Sequence, residues 1–302
     1  MPINFRTYNA EPRYGEDYNR LRSFLLELDD INYPFGRWDW MISHSYLNAE
    51  GLSKIGIWLD NEAIVGIATY DTMLDGKCFF PLKIGYENLL PEMIEYAEKN
   101  LTQDGKLKLL IRDGDVAFQK TAGGMGYTPT QSKDCDAVFD IDIDKIQYSL
   151  PEGFFVTSMK NTYDLFQYGQ VLWKGFNHEL NGEGIYAPTY EKIEVFRKEF
   201  ERPNVNLEIK IAVVAPDGNF VSYCGMWQDD ASQNALVEPV ATDPAYRRIG
   251  LGRAAVLEAI RRCGILGAKK AYVGSSQQFY YNIGFRPCST STFWERKNVS
   301  NT

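Results

Sequence analysis

Histidine is almost missing from this sequence: His44 and His178 are its two copies in 302 residues. Two imidazoles cannot build a multi-histidine metal centre. The five cysteines, Cys78, Cys135, Cys224, Cys263 and Cys288, are widely spaced with no CxxC pair. No metal is therefore expected. An odd, scattered set of cysteines in a chain this long also reads as reduced and intracellular. Positive charge is in short supply. Lys and Arg number 32 against 40 Asp and Glu, a formal net charge of −8. That balance argues against a phosphate-backbone partner, so no nucleic acid is expected. Long apolar runs are lacking too. No stretch approaches the ~20 apolar residues of a membrane span, and the opening MPINFRTYNAEPRYGEDY has no apolar h-region. The expectation is a soluble, cytoplasmic protein with no membrane partner.

What is present suffices for a packed protein, with 44% hydrophobic and 24% charged residues. Single cores tend to split beyond roughly 250–300 residues, so two domains are expected. The chain also echoes itself. Residues 60–70 read DNEAIVGIATY and residues 217–227 read DGNFVSYCGMW, each a polar turn followed by a β-rich run containing glycine. Met125-Gly126-Tyr127-Thr128-Pro129 matches Ile283-Gly284-Phe285-Arg286-Pro287. The interval from Asp60 to Gly126 is 66 residues and that from Asp217 to Gly284 is 67. Amphipathic helical patterns over 15–31 and 161–177 precede the two hairpins. The chain reads as two copies of one α/β (α+β) unit with a mixed sheet and helices on both faces. The join is placed near Leu150-Pro151-Glu152-Gly153, after the alternating strand at 138–143, giving domains 1–150 and 151–302.

The segment from Asn234 to Gly267 carries the chemistry. Leu236–Thr242 reads as a strand, Asp243-Pro244 breaks it, and Arg247-Arg248-Ile249-Gly250-Leu251-Gly252 leads into a helix over Arg253–Cys263, with Gly264 and Gly267 as its stop signals. A strand, a glycine-rich turn and a helix N-terminus make an anion site, because first-turn N–H groups lack helical partners and the dipole favours negative charge. Arg247, Arg248 and Arg253 add cationic charge. Neither the Walker pattern nor the dinucleotide fingerprint fits.

Arg247-x-x-Gly250-x-Gly252 resembles the Q/R-x-x-G-x-G/A pyrophosphate loop of the GNAT acetyltransferases. It follows a strand ending in Val-Ala-Thr-Asp-Pro, and Phe279-Tyr280-Tyr281-Asn282-Ile283-Gly284-Phe285 falls about 30 residues on, like that family's closing helix. The doubled arrangement looks like the tandem GNAT proteins, mycothiol synthase among them. The resemblance implies acetyl-coenzyme A as cosubstrate, with Arg247, Arg248, Ile249, Gly250, Leu251, Gly252 and Arg253 at its pyrophosphate. It also implies main-chain contacts from Val240 and Thr242 to the pantetheine arm; one cofactor per chain is expected, because the loop motif has no counterpart around Gly85. Tyr280 would protonate the departing thiolate, with Tyr281 as substitute.

Glu238, at the start of the acyl-site strand, is the candidate general base for an amine nucleophile; Asp229 and Asp230 compete for that role. A bulky residue at Gly250 or Gly252 should abolish cofactor binding by keeping phosphate off the backbone. The first copy lacks these features: Pro81–Leu89 has one glycine, no paired arginines and Glu87 facing a would-be phosphate, and Ala122 stands where the tyrosine should be. The aromatic stretch Tyr33–Trp40 reads as packing between the halves or as a wall of the acceptor pocket, and His44 as an ordinary helix residue.

The reading is an N-acetyltransferase acting on a primary amine of a small molecule or peptide. A non-catalytic acyl-coenzyme A-binding module and an aminoacyl-tRNA-dependent peptidyl transferase are the alternatives, and net charge −8 weighs against the latter.

Overall fold

The computed structural model describes residues 3–296. Its elements run through one order twice. The first pass is β1 (Asn4–Thr7), α1 (Glu16–Leu28), α2 (Phe35–Ser43), β2 (Gly56–Asp60), β3 (Ala63–Ala68), β4 (Lys77–Cys78), α3 (Leu90–Asn100), β5 (Lys108–Arg112), α4 (Val116–Gly124) and β6 (Tyr127–Asp140). The second is β7 (Phe155–Ser158), α5 (Leu165–Gly175), α6 (Tyr190–Phe200), β8 (Lys210–Val214), β9 (Phe220–Trp227), β10 (Asn234–Thr242), α7 (Leu251–Ile265), β11 (Lys270–Val273), α8 (Gln278–Ile283) and β12 (Arg286–Arg296). The repeat read from Asp60/Asp217 and Gly126/Gly284 corresponds to the β2–β3 and β8–β9 turns and to the ends of α4 and α8.

The two compact units do not divide at residue 150. Ala137–Arg286 forms one, and the described residues before and after it form the other. The physical reason lies in the closing strands. β12 ends the second pass yet pairs antiparallel with β5 in the first unit, Phe293 facing Leu110. The tail of β6 pairs antiparallel with β11 in the second unit, Phe139 facing Ala271.

In the first unit, β1, β2 and β3 form a three-stranded antiparallel sheet, and β4 runs parallel to β5. Its core takes in the aromatic stretch: Tyr33, Phe35 and Trp38 are buried there with Tyr8, Tyr18 and Leu21. That corrects the expectation for this stretch. Trp38 on α2 meets Tyr18 of α1 and Tyr8, Tyr33 meets Phe79, and Trp40 is partly buried at the edge of the same core. His44 is the C-cap of α2 and lies between Trp40 and Tyr46, tilted by 40° and 39° to their rings.

In the second unit, β8 and β9 are buried along their whole length. Alternate side chains of a strand point to opposite faces, and in β9 the alternation slips by one residue where its pairing with β8 shifts register at Val213/Val214. Ile211, Val213, Val221, Cys224 and Met226 join α7 in one cluster. Ala212, Val214, Phe220 and Tyr223 join α5 and α6 in another. The sheet therefore carries helices on both faces. The five cysteines are unbonded. Among the described residues no helix is long and apolar enough to cross a membrane.

α7 runs past Gly264, which was expected to stop it; the helix ends at Ile265, and Gly267 follows with φ +105°. Gly264 instead admits the connecting segment, since a Cβ there would meet Ile141 at 2.7 Å. The same segment is pinned by Tyr148, whose hydroxyl donates to Glu258 at 2.9 Å. Arg261 and Arg262 each donate to that carboxylate at 2.8 Å, and Glu258 is 3% exposed. Burial pushes its carboxyl up, but the bonds from Arg261, Arg262 and Tyr148 outweigh burial and hold it below the ordinary value. A depressed folded pKa contributes stability above the ordinary carboxylate range and loses it as pH falls through the folded value. Glu258→Gln should therefore cost about 2–3 kcal/mol at pH 7 and flatten the acid limb of stability. Thermal unfolding between pH 7 and pH 3 checks it; equal acid sensitivity in both proteins would overturn it.

Candidate functional site

The second unit's sheet opens at β10. Parallel pairing with β11 covers Asn234, Ala235 and Leu236 only, while antiparallel pairing with β9 continues to Thr242. Beyond Leu236 the edge of β10 toward β11 has no strand partner among the described residues. The β9–β10 register also shifts between Val237 and Val240, which takes Glu238 and Pro239 out of the ladder. The Trp227 indole N–H donates to the Glu238 carbonyl at 3.1 Å, fixing the bulge. A strand edge with free main-chain groups can accept an extended ligand as an added strand.

The cleft beside this edge has a volume of about 1020 Å³ and is lined by β10, the loop into α7, α8 and the end of α5. Val240, Thr242, Arg247, Arg248, Gly250, Leu251, Gly252, Arg253 and Tyr280 all border it. Sequence reasoning missed the α5 wall (Gly175, Phe176 and Asn177) and also Gln277 and Asn282. No motif marks the wall, because it comes from an ordinary amphipathic helix pattern.

At the mouth of α7, Gly250 is the N-cap with φ +92°, and no side chain caps the helix. Its first-turn amides are left for a ligand, as a pyrophosphate requires. Gly252 matters through close approach: a Cβ there would lie 2.9 Å from Thr242 Oγ1 and 3.3 Å from the Phe279 ring. Leu251 is buried in the core and Ile249 is half-exposed on the loop. The arginines divide their work. Arg247 Nε donates to the Thr242 carbonyl at 3.1 Å, and its Nη2 reaches the Gly175 carbonyl and Asn177 Oδ1 at 2.8 Å each. Arg253 Nη1 reaches the carbonyls of Asn282 and Ile283 at 3.3 Å, tying α7 to α8. Arg248, with φ +68°, has no ion pair or side-chain hydrogen bond among the described residues. The expected cationic cluster is in place, with two of its three side chains engaged by backbone carbonyls.

Tyr280 on α8 is 8% exposed, edge-on to Phe279 and Phe285, and borders the cleft. Burial first, then Cys224 and Glu238, push its phenol well above the usual 10. Glu238 sits in the bulge of β10 and does not line the cleft. Cys224, opposite Val240 beneath the bulge, is fully buried, and burial likewise raises its thiol. Tyr281 is only partly buried at the edge of the same cluster. Asp229 and Asp230 lie in the β9–β10 turn, where the Asp229 carboxylate accepts the Ala231 N–H at 2.7 Å. Among the described residues no group of three or more His, Cys, Asp or Glu could hold a metal ion.

The corresponding place in the first unit is filled by the chain itself. Glu87 accepts the Gly85 N–H through both carboxylate oxygens, at 2.9 and 3.1 Å, and these backbone bonds hold its pKa below the ordinary value. Pro91 removes a donor from the first turn of α3.

Residues 174–285 match the model of the Acetyltransferase (GNAT) family. No curated protein matches the chain in sequence. Among solved structures, the chain is similar to a tandem GNAT protein from the clavulanic acid biosynthesis pathway, with 12% identity, 97% of this chain and 98% of that chain covered, and a TM-score of 0.61. A GCN5-related N-acetyltransferase from Sphaerobacter thermophilus is similar at 12% identity over 98% and 96% of the two chains, with a TM-score of 0.56. Saccharomyces cerevisiae N-myristoyltransferase with bound myristoyl-CoA is similar at 12% identity over 98% and 79%, with a TM-score of 0.55.

Proposed function

We propose that this chain, a tandem GNAT protein whose second unit is an acetyltransferase domain of that family, moves an acetyl group from acetyl-coenzyme A to a primary amine of a small molecule or peptide. The observation that carries the reading is one cleft in which the open edge of β10, the uncapped amides of α7 and the Tyr280 phenol converge. Backbone amides from Arg248 to Arg253 would hold the pyrophosphate, with Val240 and Thr242 along the pantetheine arm. The Thr242 carbonyl already accepts from Arg247, which leaves its second lone pair for a ligand.

Bound acetyl-coenzyme A supplies an activated thioester carbonyl. The chain's own residues manage the protons. An amine is protonated at neutral pH and must lose a proton before it attacks, and Glu238 in its bulge is the base, directly or through water. As the C–N bond forms and the C–S bond breaks, Tyr280 donates its proton to the departing sulfur, and the second proton shed by the nitrogen passes through water to restore the phenol. A net charge of −8 favours cationic acceptors by steering.

Calorimetric titration with coenzyme A should give one site per chain, because Glu87 and Pro91 spoil the first unit's loop. A stoichiometry of two would overturn that assignment. Thiol release across a panel of amines then tests turnover; binding of coenzyme A without turnover of any amine would reduce the protein to a binding module.

A further inference from the structure

The last turn of a helix leaves carbonyls without partners. At the end of α5 two of them are satisfied by the chain that follows. The Asn177 N–H donates to the Lys174 carbonyl at 2.9 Å and the His178 N–H to the Trp173 carbonyl at 3.1 Å, with Asn177 left-handed at φ +67°. The Gly175 carbonyl is taken by Arg247 Nη2, which holds the Asn177 side chain as well. Through Nε the same guanidinium holds the end of β10. Gly175 lies flush on that strand: a Cβ there would be 2.6 Å from Ala241 Cβ and 2.8 Å from the Thr242 nitrogen. Lys174 adds an ion pair with Asp243 at 3.3 Å. A cation at a helix C-terminus is also favoured by the helix dipole.

We propose that Arg247 is a positioning residue rather than a phosphate ligand. It clasps the end of α5 to the cofactor strand and so builds the Gly175–Asn177 wall of the cleft, leaving Arg248 as the side-chain cation that meets the pyrophosphate. Three donor contacts to fixed acceptors would have to break before the Arg247 guanidinium could turn to a phosphate. Arg248 faces no such cost. Its backbone holds a left-handed conformation uncommon for a residue with a side chain, and retained strain of that kind clusters at ligand clamps.

The inference rests on the acyl-coenzyme A reading, but half of its test does not. Amide hydrogen exchange over 174–189 is compared in the cofactor-free wild type, Arg247→Ala, Asn177→Gly and Arg248→Ala. Asn177→Gly suits the left-handed φ and removes only the side-chain acceptor. Exchange at Asn177 and His178 should rise about tenfold in Arg247→Ala, rise less in Asn177→Gly and stay unchanged in Arg248→Ala. Coenzyme A is then titrated at low and high salt. Arg248→Ala should lose about tenfold in affinity, with a weaker salt dependence, as befits a charge-assisted phosphate contact. Any loss in Arg247→Ala should be shared by Asn177→Gly, which alters the wall without removing a cation. A tenfold loss in Arg247→Ala alone, with exchange over 174–189 unchanged, would overturn the proposal. Failure of the wild type to bind coenzyme A would sink the acyl-coenzyme A reading, while the exchange result still decides whether Arg247 is the clasp.

Discussion

Tyr280→Phe is expected to keep the fold and coenzyme A affinity while lowering kcat by about 10²–10⁴-fold, the usual worth of a positioned general acid. At 1.36 kcal/mol per decade that is roughly 3–5 kcal/mol of transition-state stabilisation. The ring itself should not suffer. It packs edge-on to Phe279 and Phe285 at 5.0 and 5.5 Å, and a phenyl ring makes the same contacts. The raised pKa adds a pH signature. A donor must be protonated to act, so a raised pKa moves its alkaline loss upward. Wild-type kcat should stay level through pH 10, where a free tyrosine would be half ionised. Glu238→Gln should instead alter the acid side of the profile, because the base must be ionised to take the amine proton. Steady-state kinetics against pH checks both. A loss below threefold in Tyr280→Phe would assign the proton to another donor, with Tyr281 next to be tested; equal losses in kcat and cofactor binding would make Tyr280 a residue that shapes the cleft.

Gly252→Leu should remove coenzyme A binding altogether, and it should do so through the fold. The added Cβ meets Thr242 Oγ1 and Phe279 before any phosphate is present. Thr242 is held by the Ser222 hydroxyl at 2.9 Å and cannot give way freely. The start of α7 must lift away from β10, which separates the amides from the strand that borders the same cleft. Overpacking of this kind costs about 1–3 kcal/mol for the first methylenes and more for a whole isobutyl group. Gly250→Ala is the contrast. Nothing but the Ser149 carbonyl, at 3.9 Å, comes near its Cβ position. Its cost is the left-handed φ, about 1–2 kcal/mol. Affinity should fall by about tenfold at 1.4 kcal/mol per decade, with folding retained. Calorimetry and thermal unfolding on the pair decide it. Equal behaviour of the two variants would mean that both glycines serve only the phosphate.

What the sequence could and could not tell follows from the range of the interactions involved. The strand, turn and helix from Leu236 to Cys263 were legible because proline, glycine and arginine act within a few residues of themselves. The repeat was legible because each copy carries the same local signals at the same spacing. The direction of the Arg247 side chain was not, since its partners Gly175 and Asn177 are some seventy residues away and lie in an unremarkable helix end. Aromatic density at Tyr33–Trp40 signalled burial without saying which core would receive it. Gly264 looked like punctuation because glycine usually punctuates, and only its contact with Ile141 reveals packing. The destinations of β6 and β12 were hidden most completely. Each reads as a closing strand after a helix, and nothing within such a strand names the edge it will pair with.

That exchange governs the order in which the protein can mature on the ribosome. The first unit includes residues beyond Pro287 and pairs β5 with β12, so its sheet stays short of a strand until residues 286–296 have been made. Domains that close upon themselves can settle as they emerge, at about 5–20 residues per second. Here the earlier half must wait for the later one, with the β5 edge exposed and open to wrong partners in the meantime. Its dependence on β12 also makes that strand a proofreading point. A message broken off shortly before residue 287 yields a chain whose first unit cannot close, whatever the state of the second unit's cleft.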